Sequence, residues 1–129
     1  MSIELNHTII PSADKVIASS FYTRIFAFEC LGRVSDFYAV RVNDTLTLDF
    51  KDSNEFTINH YAFKVDDENF DKIYAKIKEE EIIYGSDPYD LENMQLNRWH
   101  GGRGFYFRDP NGHILEILTQ TEDDQIHGN

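Results

Sequence analysis

Two halves of this 129-residue chain spell the same order of elements, and that repetition constrains the fold more than any other feature. The first half opens with the β-like run Leu5-Asn6-His7-Thr8-Ile9. Pro11-Ser12 follows, with Ser12 placed to cap a helix over about 13–26. Ile17, Phe21 and Ile25 recur at i, i+4 and i+8, which predicts one apolar stripe on that helix. Three strand-like runs come next, at about 28–33, 37–43 and 45–50, the last two joined by the turn signal Asn43-Asp44.

The second half begins with Ile58-Asn59-His60-Tyr61-Ala62-Phe63, again a strand pattern with Asn-His inside it. Asp66-Asp67 supply a cap, and Phe70, Ile73, Tyr74 and Ile77 mark a helix by their spacing. Strand-like runs follow at about 82–84, 103–108 and 113–119. Both halves read β-α-β-β-β, with His7 and His60 at matching places. A unit this small does not bury its own sheet face, so the repeat predicts a pairing of two units, roughly 1–52 and 56–121, within one domain spanning 1–129.

Charge narrows the partners. Twelve Lys and Arg against 23 Asp and Glu leave a formal charge of −11, which opposes nucleic acid and anionic membranes as partners. Cys30 is the single cysteine, so neither an intrachain disulfide nor a thiolate metal site is available. The opening Met1-Ser2-Ile3-Glu4 has no basic start and no apolar core, so no signal peptide is expected. A soluble cytoplasmic protein is the expectation.

Between Gly85 and Gly102 the chain shows no clear period, and Tyr89, Leu91, Met94, Leu96 and Trp99 make it too apolar for a solvated excursion. Such loops serve as lids or binding loops. His100, Arg98 and Arg103 are candidates to face a pocket from it, with Arg103 placed to meet an anionic substrate. Gly101-Gly102-Arg103-Gly104 precedes a strand rather than a helix, so it reads as a loop hinge and not a phosphate cradle. The tail after Thr119 is expected to be frayed, and the run Lys76–Glu81 a solvated helix end.

Three strand residues carry chemistry. His7 and His60 sit at equivalent positions, and Glu116 lies in the otherwise apolar run Ile114-Leu115-Glu116-Ile117-Leu118. Burying a carboxylate there is costly without a cation or donors. Two imidazoles and a carboxylate form a facial triad that suits Fe, Mn, Ni or Zn as a divalent ion and leaves positions open for substrate. A strand histidine taken alone is more often a core or surface residue; placement by the repeat raises these two above that. Alternation in Thr45-Leu46-Thr47-Leu48-Asp49-Phe50 puts Asp49 on a polar face, where it matches Glu116 as a fourth candidate.

These residues resemble the vicinal oxygen chelate superfamily, which includes glyoxalase I, bleomycin resistance proteins, fosfomycin resistance proteins and extradiol dioxygenases. The resemblance runs from Leu5-Asn6-His7 to Glu116-Ile117-Leu118. Its most specific segment is Gly104-Phe105-Tyr106-Phe107-Arg108-Asp109-Pro110-Asn111-Gly112-His113-Ile114-Leu115-Glu116. It implies an α+β fold of paired βαβββ modules, a mixed sheet curved into a cup with helices outside. It also implies His7, His60 and Glu116 as metal ligands, and Tyr106 as a cup-lining residue with Phe105 and Phe107 beneath a helix. Asp49 matches a glutamate of glyoxalase I, one methylene longer.

Two departures bear on activity. No Lys or Arg follows Arg108, and Ile9 stands where fosfomycin enzymes place a hydroxyl, so thiol transfer to a phosphonate is not expected. The Asp109-Pro110-Asn111-Gly112 turn reads as structural, with His113 exposed beside it. The function expected is that of an enzyme in which one divalent metal chelates vicinal oxygens of a small substrate, with lyase, isomerase or dioxygenase chemistry. Glu116, Asp49 and Tyr106 are its catalytic candidates, and Tyr106, Trp99 and Arg103 its substrate contacts. The alternative is a non-catalytic ligand- or drug-binding protein, and a homodimer is expected in either case.

Overall fold

The first helix begins where a side chain can satisfy its free N–H groups. Asp14, not Ser12, does this: its carboxylate accepts from Val16 N at 2.9 Å and Ile17 N at 3.0 Å. Ser12 is instead buried in the first strand, where its hydroxyl donates to the Lys51 carbonyl. The computed structural model describes residues 2–126. It divides into two compact units, with the boundary between Thr57 and Ile58.

The first unit runs β1 (His7–Ser12), α1 (Lys15–Phe26), β2 (Glu29–Val34), β3 (Phe37–Asn43) and β4 (Leu46–Asp52). Its sheet has the order β1-β4-β3-β2, with β1 parallel to β4 and the other pairs antiparallel. A bulge between Cys30 and Gly32 interrupts the β2·β3 register, and Gly32 takes a φ of 77° there. α1 covers the face that carries Ile10, Val40, Leu48 and Phe50. The buried stripe of α1 is Ala18, Phe21, Tyr22 and Ile25, whereas Ile17 is 59% exposed. The periodicity admitted two phases; Tyr22, whose ring lies 4.8 Å from Phe50, decides between them by the area it buries.

The second unit runs β5 (His60–Lys64), α2 (Asp67–Glu79), β6 (Tyr84–Gly85), β7 (Gly104–Arg108), β8 (Ile114–Leu118) and α3 (Glu122–Ile126). Its sheet order is β5-β8-β7-β6, with β5 parallel to β8. Asp66 caps α2 through Asn69 N, as the sequence predicts. Phe70, Ile73 and Ile77 of α2 are buried, as are Phe105, Phe107, Leu115 and Ile117 of the sheet. Phe70 meets Phe105 edge to face at 5.4 Å. The Tyr74 and Tyr84 hydroxyls lie 2.6 Å apart, and burial together with that neighbour pushes Tyr84 up to about 12. Each unit thus carries the paired βαβββ order with a mixed sheet, and the expected α+β class is correct.

Two surface expectations are overturned in the second unit. The segment after Thr119 folds into α3 because Asp124 has partners: Lys64 Nζ at 2.5 Å, and the Thr121 N–H at 3.0 Å. Residues 127–129 of that tail lie outside the described residues. His113, expected to be exposed, is fully buried. The turn ahead of it aims it inward, since Asp109 Oδ1 accepts from Asn111 N and His113 N, and Gly112 takes a φ of 88°. Among the described residues, no helix is long and apolar enough to cross a membrane.

Register repeats as faithfully as element order. β1·β4 sets Ile9 opposite Asp49, and β5·β8 sets Ala62 opposite Glu116. Each carboxylate therefore stands opposite the residue two beyond a histidine, on the histidine's own face of the sheet.

Phe105→Ala is expected to cost about 3–5 kcal/mol in urea unfolding, because rings of Phe70, Tyr74, Tyr84 and Phe107 surround a side chain with no exposure. Lys64 and the Thr121 N–H hold Asp124 down from 3.8 to about 2. Its contribution is therefore present above pH 3.8 and is lost as pH falls through about 2. Asp124→Asn removes that contribution. Acid titrations of parent and variant followed by circular dichroism are expected to converge below pH 2 and separate above pH 4.

Candidate functional site

Glu116 sits at the centre of the second sheet, on the face away from α2. Antiparallel pairing with β7 puts Tyr106 opposite it, and parallel pairing with β5 puts His60 within reach. His60 Nε2 lies 3.0 Å from Glu116 Oε1, with the two side chains 46% and 15% exposed. Tyr106 stands directly across the β7·β8 pair from that carboxylate. Burial and the negative charges of Glu116 and Asp87 hold the phenol well above its ordinary pKa. Tyr106 is therefore a neutral proton donor throughout the physiological range. The carboxylate predicted to need compensation meets the His60 imidazole.

Aromatic rings frame this group. Trp99 meets Tyr106 edge-on at 5.9 Å, and the His60 ring lies 5.8 Å from Tyr106. Trp99 opens a single 3-10 turn, Trp99–Gly101, in which His100 takes a φ of 59° and Gly101 one of 80°. The loop ahead of it is pinned from within. Asn93 accepts from Ser86 N and donates to Ser86 Oγ, and Asn97 donates to the Ser86 carbonyl. Gly102 is required by close packing, because a Cβ there would fall 2.5 Å from Thr119 Oγ1. The expected hinge is a packed corner.

Arg103 is not at this face. Its guanidinium donates to Asp71 at 2.8 Å and Asp67 at 2.9 Å, and lies 4.2 Å above the Phe70 ring. It braces α2 against the sheet rather than meeting a substrate beside Tyr106. Asp67 and Asp71, four residues apart on one helix face, were the sequence signal for that arrangement. A groove of about 410 Å³ lies at the far end of the sheet, lined by Lys64, Val65, Asp66, Asp67, Thr119 and Gln120, away from His60 and Glu116.

In the first unit, His7 is exposed and its Nδ1 lies 2.8 Å from Asn6 Oδ1. An amide oxygen only accepts, so the proton belongs on Nδ1 and Nε2 keeps its lone pair. That is the tautomer a metal-binding histidine adopts when a neighbour orients it. Asp49 is half-buried on the same face, with Thr47. Of the predicted site residues, the second unit gathers His60, Glu116, Tyr106 and Trp99, while His7 and Asp49 share a face of the first. Among the described residues, neither unit by itself gathers three His, Cys, Asp or Glu side chains into a metal cluster. The donors nevertheless suit a divalent ion, since two cis ligands at about 2.1 Å stand about 3 Å apart.

Tyr106→Phe removes the phenol that stands beside a mostly buried carboxylate. We expect a loss of about 1 kcal/mol or less in metal-free urea unfolding, because the phenol is a cross-strand neighbour of Glu116 and some water reaches that carboxylate.

No family model matches the chain. It is 27% identical over 124 residues to a metallothiol transferase FosB from Shouchella clausii (strain KSM-K16), covering 91% of this chain and 80% of that protein. Among solved structures, it superposes on the oxidase ChaP-H2 with a TM-score of 0.89 and 40% identity, covering 94% of this chain and 96% of that one. It shares its fold with a lactoylglutathione lyase from Agrobacterium tumefaciens, at a TM-score of 0.70 and 18% identity, over 99% of this chain and 97% of that one.

Proposed function

The chain belongs to the vicinal oxygen chelate superfamily, and from that premise we propose a metal-dependent enzyme that oxidises a small molecule held through two neighbouring oxygens. The fold alone does not choose the reaction. The observation that carries the reading is the His60–Glu116 pair at 3.0 Å, with Tyr106 directly across the strand pair from the same carboxylate. His60 and Glu116 supply two ligands to a divalent ion, and His7 supplies the third, from the same chain or from a second copy in a homodimer. The modules 1–52 and 56–121 act as one functional domain.

A divalent ion bound there supplies Lewis acidity toward the substrate oxygens. The protein's own groups do the rest. Tyr106, neutral and oriented, donates a hydrogen bond to a substrate oxygen. Trp99 offers an apolar edge for the substrate body, and Asp49 is the candidate proton carrier. Oxidation is favoured over thiol transfer by the likeness to the oxidase ChaP-H2 at 40% identity, against 27% for FosB. The side chains agree, since Ile9 contributes no hydroxyl and Arg103 is already bound to two carboxylates.

The test is metal uptake joined to oxygen consumption. The parent is expected to bind one Fe(II) or Mn(II) per chain and to consume oxygen with a small vicinal diol or enediol. His60→Ala and Glu116→Ala are each expected to weaken binding at least 100-fold, roughly the loss of one ligand. A parent that takes up no divalent ion, or variants that bind it as the parent does, overturns the metal reading. Thiol-dependent turnover without oxygen uptake would favour the transferase alternative.

A further inference from the structure

The two Asn-His dipeptides of the repeat are supported in different ways. In both units a backbone bond closes the parallel ladder at the asparagine: Thr47 N donates to Asn6 O, and Ile114 N donates to Asn59 O, each at 2.9 Å. Beyond that bond the supports diverge. Leu46 precedes Thr47 in the first unit and brings no side-chain acceptor to Asn6. There the asparagine side chain itself orients the His7 ring. In the second unit the residue before Ile114 is His113, fully buried, and its Nδ1 accepts the Asn59 N–H at 3.0 Å. The Asn59 side chain is then engaged elsewhere, with its amide donating to the Tyr61 hydroxyl at 3.0 Å.

His113 is itself rigidly placed. Its N–H donates to Asp109 at 2.9 Å, its carbonyl accepts from Asp109 N at 2.9 Å, and Tyr61 stands edge-on to its ring at 5.7 Å. The imidazole therefore extends the β5·β8 ladder by one bond, at the residue that leads directly into His60. Nothing about the Asp-Pro-Asn-Gly turn requires an imidazole after it; the geometry gives one a task.

We infer that His113 is a positioning residue, whose Nδ1 holds the Asn59 N–H and so fixes the strand entry from which His60 reaches Glu116. This rests on the reading of His60 and Glu116 as ligands only for its effect on metal; the effect on the pair stands without metal. Accepting at Nδ1 also assigns the proton of His113 to Nε2.

The experiment has two arms. In metal-free parent, NMR is expected to show a scalar coupling across the Asn59 N–H to His113 Nδ1 bond. His113→Leu is expected to speed exchange of the Asn59 amide about tenfold and to move the His60 ring resonances. His113→Asn, which restores an acceptor near the Nδ1 position, is expected to reverse most of both. In the second arm, Co(II) titration of His113→Leu is expected to show affinity about tenfold weaker than parent, recovered by His113→Asn. Absence of the coupling in the parent, or His60 resonances unmoved in a folded His113→Leu, overturns the inference. A parent that binds no Co(II) while the first arm succeeds overturns the metal reading and leaves His113 in its place beside His60.

Discussion

A carboxylate in the middle of an apolar strand imposes conditions on everything around it. Glu116 has Leu115 and Ile117 on either side, both fully buried against the α2 face, so its own side chain must emerge on the opposite face. There its charge is met by an imidazole on one neighbouring strand and a phenol on the other. Those partners depend on register. A one-residue slip in β7 would exchange Tyr106 for a phenylalanine and bury a tyrosine under α2. The turn at Asp109–Gly112 sets the register of β7 against β8, and the ladder at Asn59 sets that of β5 against β8.

Much of this was legible from residue order. The resemblance, with which strand alternation agrees, put Phe105 and Phe107 beneath a helix and Tyr106 on the opposite face, and the pairing of β7 with β8 sets Tyr106 across from Glu116. Asp49 was likewise readable as the counterpart of Glu116, and the two occupy the same register position in their units. The legible features share one property: each follows from local periodicity or from the internal repeat.

What escaped notice depended on partners distant in sequence. Arg103 looked available because Asp67 and Asp71 lie more than thirty positions away, and folding brings α2 against the start of β7. His113 looked like a solvated turn residue because its acceptor role needs Asn59, 54 positions earlier. Asp124 seemed part of a loose acidic tail, and the Lys64 ammonium together with Thr121 gives it a reason to order. In each case a polar group was given to water or to substrate when the fold had another polar group for it.

The bulge in β2 has a consequence for the chain's behaviour in company. β2 is an edge of its sheet, and its residues are almost all exposed, among them Leu31 and Val34. A straight edge of that composition offers an unpaired row of amides and carbonyls to any other extended chain. The break at Gly32 bends that row, and Glu29 and Arg33 add charge along it. A residue with no side chain thereby makes that edge a poorer template for a second extended chain.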